Sequence, residues 1–342
     1  MQFFFAFNYL YKFKFYVKII SMEILDLYKS SRLCKVVSND VKLNMLSHCY
    51  MLCTPDDFLL EEFAGYMAKH IFCMCDDAPC NTCVNCVKIS HSNMVDLKYY
   101  PTTEKTLAVE DINQVVSDCY IMPIENDKKV YILKNFDLCT VQAQNKILKT
   151  LEEAPRNVVF ILTCTNPSMV LSTICSRAKK IDINLLDTEI IENYLKGLKC
   201  ENAELVSNMA GGSLSTALKL AKNKDAENIV NLVFELLKDL NTSGDVLKFS
   251  SKILSFKKDI HFFLNTLISI LRDIAASGAN VSFKNRKREL DALATRYSAE
   301  AVNQIVNVVV EIFERLEFNG NLNGLIDYLL LKILEVRFLC QK

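Results

Sequence analysis

Glycine is scarce in this chain, since only eight of its 342 residues are glycine. They stand at positions 65, 197, 211, 212, 244, 278, 320 and 324. No pair of them has the G-x-x-x-x-G-K spacing of a P-loop, and no group of them forms G-x-G-x-x-G. Both common glycine-built phosphate cradles are therefore absent, and a nucleotide site in this chain would have to be built in another way.

Net charge is missing as well, because 40 basic and 40 acidic residues cancel. This balance disfavours a protein held to nucleic acid by bulk charge, although it leaves room for a local basic patch. Hydrophobic residues make up 51% and charged residues 23%, which excludes a disordered or fibrous chain. The length is ample for two or three domains with sizeable cores.

The sequence also lacks the long uninterrupted apolar run of a membrane-spanning helix. Residues 1–21 are aromatic and basic, but Lys12, Lys14 and Lys18 interrupt them and no small-residue cleavage site follows. We expect this stretch to be a poorly ordered extension before a functional chain that begins at Met22. A membrane-surface segment is the alternative. The sequence predicts a cytoplasmic protein with no membrane partner.

Cysteine, by contrast, is abundant, with fourteen residues. Nine are scattered singly among apolar residues, and we expect them to be reduced core residues. The other five lie between Cys73 and Cys86 in a polar loop, where exposed thiols need a reason. His70 and His91 flank this loop, and we expect both to be surface residues rather than metal ligands.

The loop cysteines have the spacing of a metal site, Cys73-x6-Cys80-x2-Cys83-x2-Cys86. Four thiolates that converge on one point suit a tetrahedral zinc ion and leave no open position for water. We therefore predict a structural zinc site with these four ligands. An iron–sulfur cluster is the rival hypothesis. Cys75 is a spare thiol that could replace Cys73.

Hydrophobic patterning divides the chain into an α/β part and a helical part. Up to about residue 184, helical stretches alternate with short buried runs such as KVYILK and VVFILT. This alternation predicts a parallel sheet with helices on both faces. Only helical patterns follow, and the later ones are long and amphipathic. The predicted domains are an α/β domain over 22–184 with the zinc module at 73–86, a small helical domain over 185–227 and an all-α domain over 228–342.

The order of motifs resembles that of a known family. A four-cysteine insertion follows the first helix, and after a strand come KKVYILKNFDLCTVQAQNKILKTLEEAPRNVVFILTCTNP and LSTICSRAKKI. The chain thereby resembles the clamp-loader subunits of bacterial DNA polymerase III, which belong to the AAA+ class. The most specific match is TVQAQNKILKTLEEAP at 140–155, and the likeness covers residues 25–225 well and the remainder weakly. It implies an AAA+ module followed by a helical lid and a collar.

The positions that bind ATP in that family are altered here. Where ATPase members carry the P-loop, this chain has TPDDFLLEEF, without glycine or lysine. Its acidic residues would repel a triphosphate. They are Asp56, Asp57, Glu61 and Glu62. Lys134-Asn135-Phe136-Asp137 occupies the Walker B position, so only Asp137 remains of the expected carboxylates. Ser215 stands where an active subunit has the sensor 2 arginine.

The resemblance therefore implies a non-hydrolysing subunit of the delta-prime branch, with no ATP bound by this chain. The alternative is a gamma/tau-like subunit that binds ATP through a divergent site. A zinc-dependent scaffold unrelated to replication is the third hypothesis. The partners implied are the gamma/tau and delta subunits and, through the complex, the sliding clamp and primed DNA.

One functional motif of the family survives, Ser176-Arg177 in the sequence CSRA. It resembles the S-R-C motif whose arginine reaches the ATP site of the neighbouring subunit, although Ala178 replaces the cysteine. The resemblance implies that Arg177 is an arginine finger acting in trans and that Ser176 orients it. A planar, always-charged guanidinium suits the charge that develops on a transferred phosphoryl group.

A basic cluster in the helical part has a less specific pattern. It consists of Lys284, Arg286, Lys287, Arg288 and Arg296, interspersed with Glu289 and Asp291. Such a run is typical of a solvated helix face, and contact with DNA is the alternative.

Overall fold

The computed structural model describes residues 24–102, 106–200, 202–222, 225–276, 283, 286–317 and 320–339. The extension predicted over 1–21 lies outside the described residues. Within them the chain forms two compact units. The first comprises the residues up to Asp187 together with Ser213–Ser215, and the second comprises the rest. The division of the helical part into two domains at residue 227 stays a prediction.

The first unit contains a five-stranded parallel sheet of order β2-β3-β4-β1-β5. Its strands are β1 Cys49–Cys53, β2 Leu97–Tyr100, β3 Lys129–Leu133, β4 Val158–Cys164 and β5 Lys179–Asp182. Every residue of the three central strands is buried. Their continuous apolar and β-branched sequences are those of strands covered on both faces, which confirms the predicted parallel sheet.

Helices cover both faces of this sheet. They are α1 24–30, α2 Arg32–Lys42, α3 Asp57–Phe72, α4 Val84–Ser90, α5 Val109–Asp118, α6 Val141–Glu152 and α7 Ser172–Cys175. On one face, Met51 of β1 lies in a buried cluster with Ile112 of α5 and Ile147 of α6. On the other, α3 packs against β1 and β4, and the Tyr50 hydroxyl donates to Asp40 of α2 at 2.7 Å. The prediction of two covered faces is confirmed.

The carboxyl ends of the parallel strands bring several loops to one edge of the sheet. Residues 54–56 link β1 to α3, residues 134–137 follow β3, and Thr165 and Asn166 follow β4. Ligand sites of open α/β sheets lie at this edge. The segments that the family resemblance assigns to a nucleotide site, after β1 and after β3, therefore lie at the same edge of the sheet.

The described residues of the second unit contain helices and no strand. The helices are α8 Thr188–Gly197, α9 Ala203–Met209, α10 Leu214–Ala221, α11 Ala226–Asp239, α12 Ser243–Ser255, α13 Ile260–Ala275, α14 Lys287–Ala294, α15 Ala299–Glu317 and α16 Leu322–Leu339, of which α10 begins within the first unit. Val233, Phe263, Ile305 and Leu329, from four of these helices, lie in one buried cluster. The helical C-terminal region is thus confirmed. Among the described residues, no helix is long and apolar enough to cross a membrane.

Candidate functional site

The cysteine loop connects α3 to α4 and forms a compact thiol cluster. The Sγ atoms of Cys73, Cys75, Cys80 and Cys83 all lie within 4.8 Å of one another. In a tetrahedral zinc site with bonds of about 2.3 Å, neighbouring sulfur atoms are about 3.8 Å apart. Small side-chain adjustments would therefore let this group close on one ion, and four soft donors fit zinc. The loop contains a four-cysteine group that could hold a metal ion.

The structure brings all five loop cysteines together, although not as one equivalent set. Cys75, the spare thiol of the sequence pattern, is exposed but lies within the group of four. Cys86 is buried in α4, with its Sγ 4.0 Å from that of Cys80 and 3.9 Å from the carbonyl oxygen of Lys69. Cys80 therefore lies next to both candidate fourth ligands, Cys75 and Cys86. The ligand set stays a prediction.

Hydrogen bonds favour the thiolate form of Cys80. Its sulfur lies 3.4 Å from the backbone nitrogen of Thr82 and 3.2 Å from that of Cys83, and both N–H groups donate to it. Together with a hydrogen bond from the Thr82 side chain, which is the largest cause, they lower the pKa of Cys80 to about 5. Burial raises the pKa of Cys86 well above its ordinary value. Because thiolates are the metal-binding form, Cys80 is the best-prepared ligand of the loop.

The two histidines that flank the loop differ in environment. His91 is exposed, as predicted. The prediction that His70 is a surface residue is wrong, because it is only 4% exposed and its ring lies against α1 and α2. Its Nε2 is 3.2 Å from the Ser38 hydroxyl, and its Nδ1 is 3.5 Å from the Tyr28 hydroxyl. Burial, with the charges of nearby lysines, lowers the pKa of His70 to about 4.

The turn between β1 and α3 is the segment that the family resemblance assigns to the phosphate-binding loop. It has only three residues, and its last one, Asp56, is completely buried. One carboxylate oxygen accepts the backbone N–H of Leu59 at 3.0 Å and thereby caps α3. The other accepts the N–H groups of Leu214 and Ser215, the latter at 3.2 Å. The carboxylate is thus enclosed by amides from two helix N-termini.

Two of the other acids of α3, Glu61 and Glu62, are paired with a lysine or shielded from water. Glu61 forms an ion pair with Lys134, which follows β3, and the Lys134 ammonium lies 5.5 Å from the centre of the Tyr99 ring. Burial and the neighbouring Glu61 carboxylate raise the pKa of Glu62 above its ordinary value. Asp57 is exposed. The ammonium of Lys134, the first residue after β3, is therefore neutralised by an acid of α3.

Asp137, the remaining acid after β3, is 3% exposed and connects two loops. Its Oδ2 accepts from the Thr165 hydroxyl at 2.7 Å, the Thr165 N–H at 3.1 Å and the Asn166 N–H at 2.9 Å. Its Oδ1 has no hydrogen-bond partner among the described residues. The carboxylate joins the ends of β3 and β4, and most of its capacity to accept hydrogen bonds is used inside the protein.

Arg177 follows the short helix α7 and lies partly exposed at the protein surface. One guanidinium nitrogen donates to the carbonyl oxygen of Thr173 at 2.7 Å, and another forms an ion pair with Glu152 at the end of α6. The Ser176 hydroxyl donates to the same carbonyl at 3.0 Å and lies 3.4 Å from the guanidinium. The candidate finger and its candidate orienting serine thus share one acceptor.

Comparison with known proteins gives this geometry a context. Residues 29–187 match the family model described as "DNA polymerase III, delta subunit". Subunit delta' of DNA polymerase III from Bacillus subtilis is 25% identical over 316 residues, which are 89% of this chain and 96% of that protein. The chain is thus similar to the clamp-loader subunits of DNA polymerase III.

Other clamp-loader relatives match over a smaller share of the chain. DNA polymerase III subunit gamma of Buchnera aphidicola is 28% identical over 58% of this chain and 58% of its own length. Subunit tau/gamma of Haemophilus influenzae is 28% identical over 65% of this chain but 34% of its own length. A solved gamma subunit-related protein from Thermotoga maritima covers 90% of this chain with 17% identity and a TM-score of 0.47. The match to subunit delta' thus covers a larger share of both proteins than these gamma and tau/gamma matches do.

Two features of these sites could not be recognised, or were missed, in the sequence. One is Glu152, the partner of Arg177, which lies in the quoted TLEEAP motif and was available as a signal. The other is the pair of α10 amides on Asp56, for which a side-chain pattern offers no signal because the donors are backbone groups.

Some members of the basic cluster in the helical part contact other residues of the chain, and others are exposed to solvent. The guanidinium of Arg286 lies 4.8 Å from the centre of the Phe234 ring and donates to Asn231, and Arg296 donates to the carbonyl of Lys238. Lys287 and Arg288 are exposed on α14. Lys284 lies outside the described residues.

Proposed function

We propose that this chain is a delta-prime-like, non-hydrolysing subunit of a cytoplasmic DNA polymerase III clamp loader. It would assemble with gamma/tau and delta subunits into the complex that loads the sliding clamp on primed DNA. Its own nucleotide site would be degenerate, and its contribution to ATP hydrolysis would be made at the site of an adjacent ATPase subunit.

The environment of Asp56 carries the proposal. A fully buried carboxylate accepts amide N–H groups at the very position where a relative would present such groups to phosphate. The three-residue turn leaves no backbone to wrap a triphosphate, and a fixed negative charge there would oppose one. The Lys134–Glu61 ion pair replaces magnesium-binding acids with a pair that is already neutralised. These features together support the loss of ATP binding.

Arg177 is the proposed arginine finger. Its guanidinium is within reach of a neighbour because its side chain keeps 34% exposure. Only two of the three guanidinium nitrogens contact Glu152 and Thr173. A phosphate oxygen could therefore compete with these two acceptors for the N–H groups of the guanidinium. Ser176 would orient the finger, because its hydroxyl is bonded to the acceptor that also holds Arg177.

The cysteine loop would hold a structural zinc ion. We retain Cys73, Cys80, Cys83 and Cys86 as the proposed ligands, with Cys75 as the competitor for one position. Zinc bound by four thiolates would cross-link the loop and would not be catalytic, since no coordination site is left for water. The low pKa of Cys80 and its position beside both Cys75 and Cys86 support a site centred on this residue.

Reconstitution of the complex with gamma/tau and delta subunits tests the finger. Arg177→Ala should lower the DNA-stimulated rate of ATP hydrolysis and impair clamp loading, while assembly of the complex persists. Arg156→Ala removes an exposed arginine from the same unit and should leave the rate unchanged. Wild-type hydrolysis and clamp loading by the Arg177→Ala complex would rule out the finger role.

A gamma/tau-like subunit with its own divergent ATP site is the second candidate, because gamma relatives are 28% identical over more than half of this chain. Titration of the isolated chain with ATP separates the two. The delta-prime-like proposal expects no binding at micromolar ATP with magnesium present. Magnesium-dependent binding with micromolar affinity would favour the second candidate.

A further inference from the structure

Asp56 is a buried anion with an unusually complete set of amide donors. Its side chain is fully removed from solvent, which is costly for a carboxylate unless its charge is compensated. The compensation comes from three backbone N–H groups, those of Leu59, Leu214 and Ser215. All three belong to the first turns of helices, where free N–H groups and the helix dipole favour negative charge.

Capping α3 explains only part of this arrangement. The bond to the Leu59 N–H is an ordinary N-cap, and serine, threonine or asparagine could make it equally well. The bonds to Leu214 and Ser215 are different, because they join residues 158 and 159 positions apart in the chain. They use the first two amides of α10, which have no acceptor within their own helix.

The backbone before α10 is shaped to deliver these amides. Gly211 and Gly212 have φ angles of 58° and 87°, in the left-handed region that favours glycine. They turn the chain between the end of α9 and Ser213, from which α10 starts with its N–H groups directed at Asp56. Two of the eight glycines of this chain therefore form the turn that directs the α10 amides at the Asp56 carboxylate.

We propose that the Asp56 carboxylate is a built-in anion that takes the place of a nucleotide phosphate between the N-termini of α3 and α10. It holds Ser213–Ser215 on the β1–α3 turn without any ligand. This inference rests on the proposed loss of ATP binding, since a triphosphate at the β1–α3 turn would face the buried negative charge of Asp56. Removal of the carboxylate should leave an amide cradle that accepts a small free carboxylate.

Amide hydrogen exchange in the full-length chain tests the tether. Asp56→Asn keeps one acceptor oxygen for the α3 cap but removes the charge and one acceptor. Exchange of the Leu214 and Ser215 amides should then be about tenfold faster or more, because a hydrogen bond to a charged group is lost. Asp57→Asn makes the same charge change at the adjacent exposed position and should leave this exchange unchanged.

Chemical rescue tests the cradle. Asp56→Ala should lower the midpoint of thermal unfolding, and formate should raise this midpoint in the variant more than in the natural chain, with chloride at the same ionic strength as the reference. Absence of a formate-specific gain would overturn the cradle. If Asp56→Ala does not fold, the exchange data on Asp56→Asn decide.

The two proposals fail separately. Unchanged protection of Leu214 and Ser215 in Asp56→Asn would overturn this inference and leave the subunit assignment standing. Magnesium-dependent ATP binding by the natural chain would instead contradict the degenerate site on which the inference rests.

Discussion

The guanidinium of Arg177 is paired with the carboxylate of Glu152 in the same chain. The two side chains keep 34% and 46% of their exposure, so the ion pair is formed largely in water. Pairs of this kind contribute at most about 1 kcal/mol to stability. A contact this weak restrains the direction of the guanidinium and, in the proposed finger role, would be easily exchanged for a phosphate of the neighbouring subunit. Glu152 would therefore modulate how readily the Arg177 guanidinium exchanges its ion pair within this chain for a contact with a neighbouring subunit.

Replacement of Glu152 by glutamine should free Arg177. We expect the reconstituted complex to hydrolyse ATP faster than the natural one, because the guanidinium no longer has to leave a carboxylate. The free energy of unfolding of the isolated chain should fall by less than about 1 kcal/mol. Steady-state ATP hydrolysis and chemical denaturation measure the two effects. Glu153→Gln is the matched control at an adjacent exposed position. A loss of hydrolysis like that of Arg177→Ala would mean that Glu152 positions the finger productively.

The fourth zinc ligand can be assigned by single replacements in the cysteine loop. Metal analysis of the purified chain should find one zinc ion in the Cys75→Ser variant and a reduced content in Cys86→Ser. The reason is that Cys86 completes the two x2 steps, whereas Cys75 is exposed. Cys80→Ser should abolish binding in either case. Zinc retained by Cys86→Ser and lost by Cys75→Ser would assign Cys75 instead.

Removal of zinc from the natural chain should loosen the loop without unfolding the sheet, because the buried central strands contain none of the loop cysteines. Limited proteolysis before and after chelation should therefore produce new cleavage between residues 73 and 86. Cleavage throughout the first unit would show that the metal stabilises the whole unit.

His70 should make stability depend on pH in a defined window. Its pKa is about 4 in the folded chain, whereas an unfolded histidine has a pKa of about 6.5. The unfolded chain therefore binds more protons between these values, and stability is fully present above pH 6.5 and lost as pH falls towards 4. The loss amounts to about 3 kcal/mol at most. Denaturant unfolding of His70→Gln should show a shallower decline in this window, while His91→Gln should behave like the natural chain.

Asp137 should matter for stability rather than for nucleotide chemistry. Asp137→Ala removes the acceptor of three hydrogen bonds in a buried place, and we expect a loss of about 3 kcal/mol of unfolding free energy. Asp182→Ala, which removes the partner of Lys180 at an exposed position, should cost less than about 1 kcal/mol. Equal denaturation midpoints for the two variants would contradict this role of Asp137.

The local features of the fold were predictable from the sequence, because they depend on short patterns. The runs KVYILK and VVFILT became the buried strands β3 and β4, and TVQAQNKILKTLE became α6 with Thr140 as its cap. The cysteine spacing predicted a compact cluster for the same reason, since its members lie within fourteen positions of one another.

Long-range contacts could not be predicted in this way. Asp56 was interpreted as a charge that repels phosphate, and nothing in its local sequence shows that it binds amides 158 positions away. His70 is predicted to lie at the surface because it flanks the polar cysteine loop, but tertiary packing against Tyr28 and Ser38 buries it. In both cases the deciding partner comes from a distant part of the chain.

The edge strand β5 limits how this protein can join others. Its sequence is Lys-Lys-Ile-Asp, and every residue except Ile181 is exposed. Lysines on an edge strand hinder the addition of a foreign strand, because they would carry charge and bulk into the new pairing. Extension of this sheet at β5 by the backbone of a neighbouring subunit is therefore disfavoured. The strand begins one residue after Ala178 and two after Arg177, so the proposed finger lies beside an edge that is protected against strand addition.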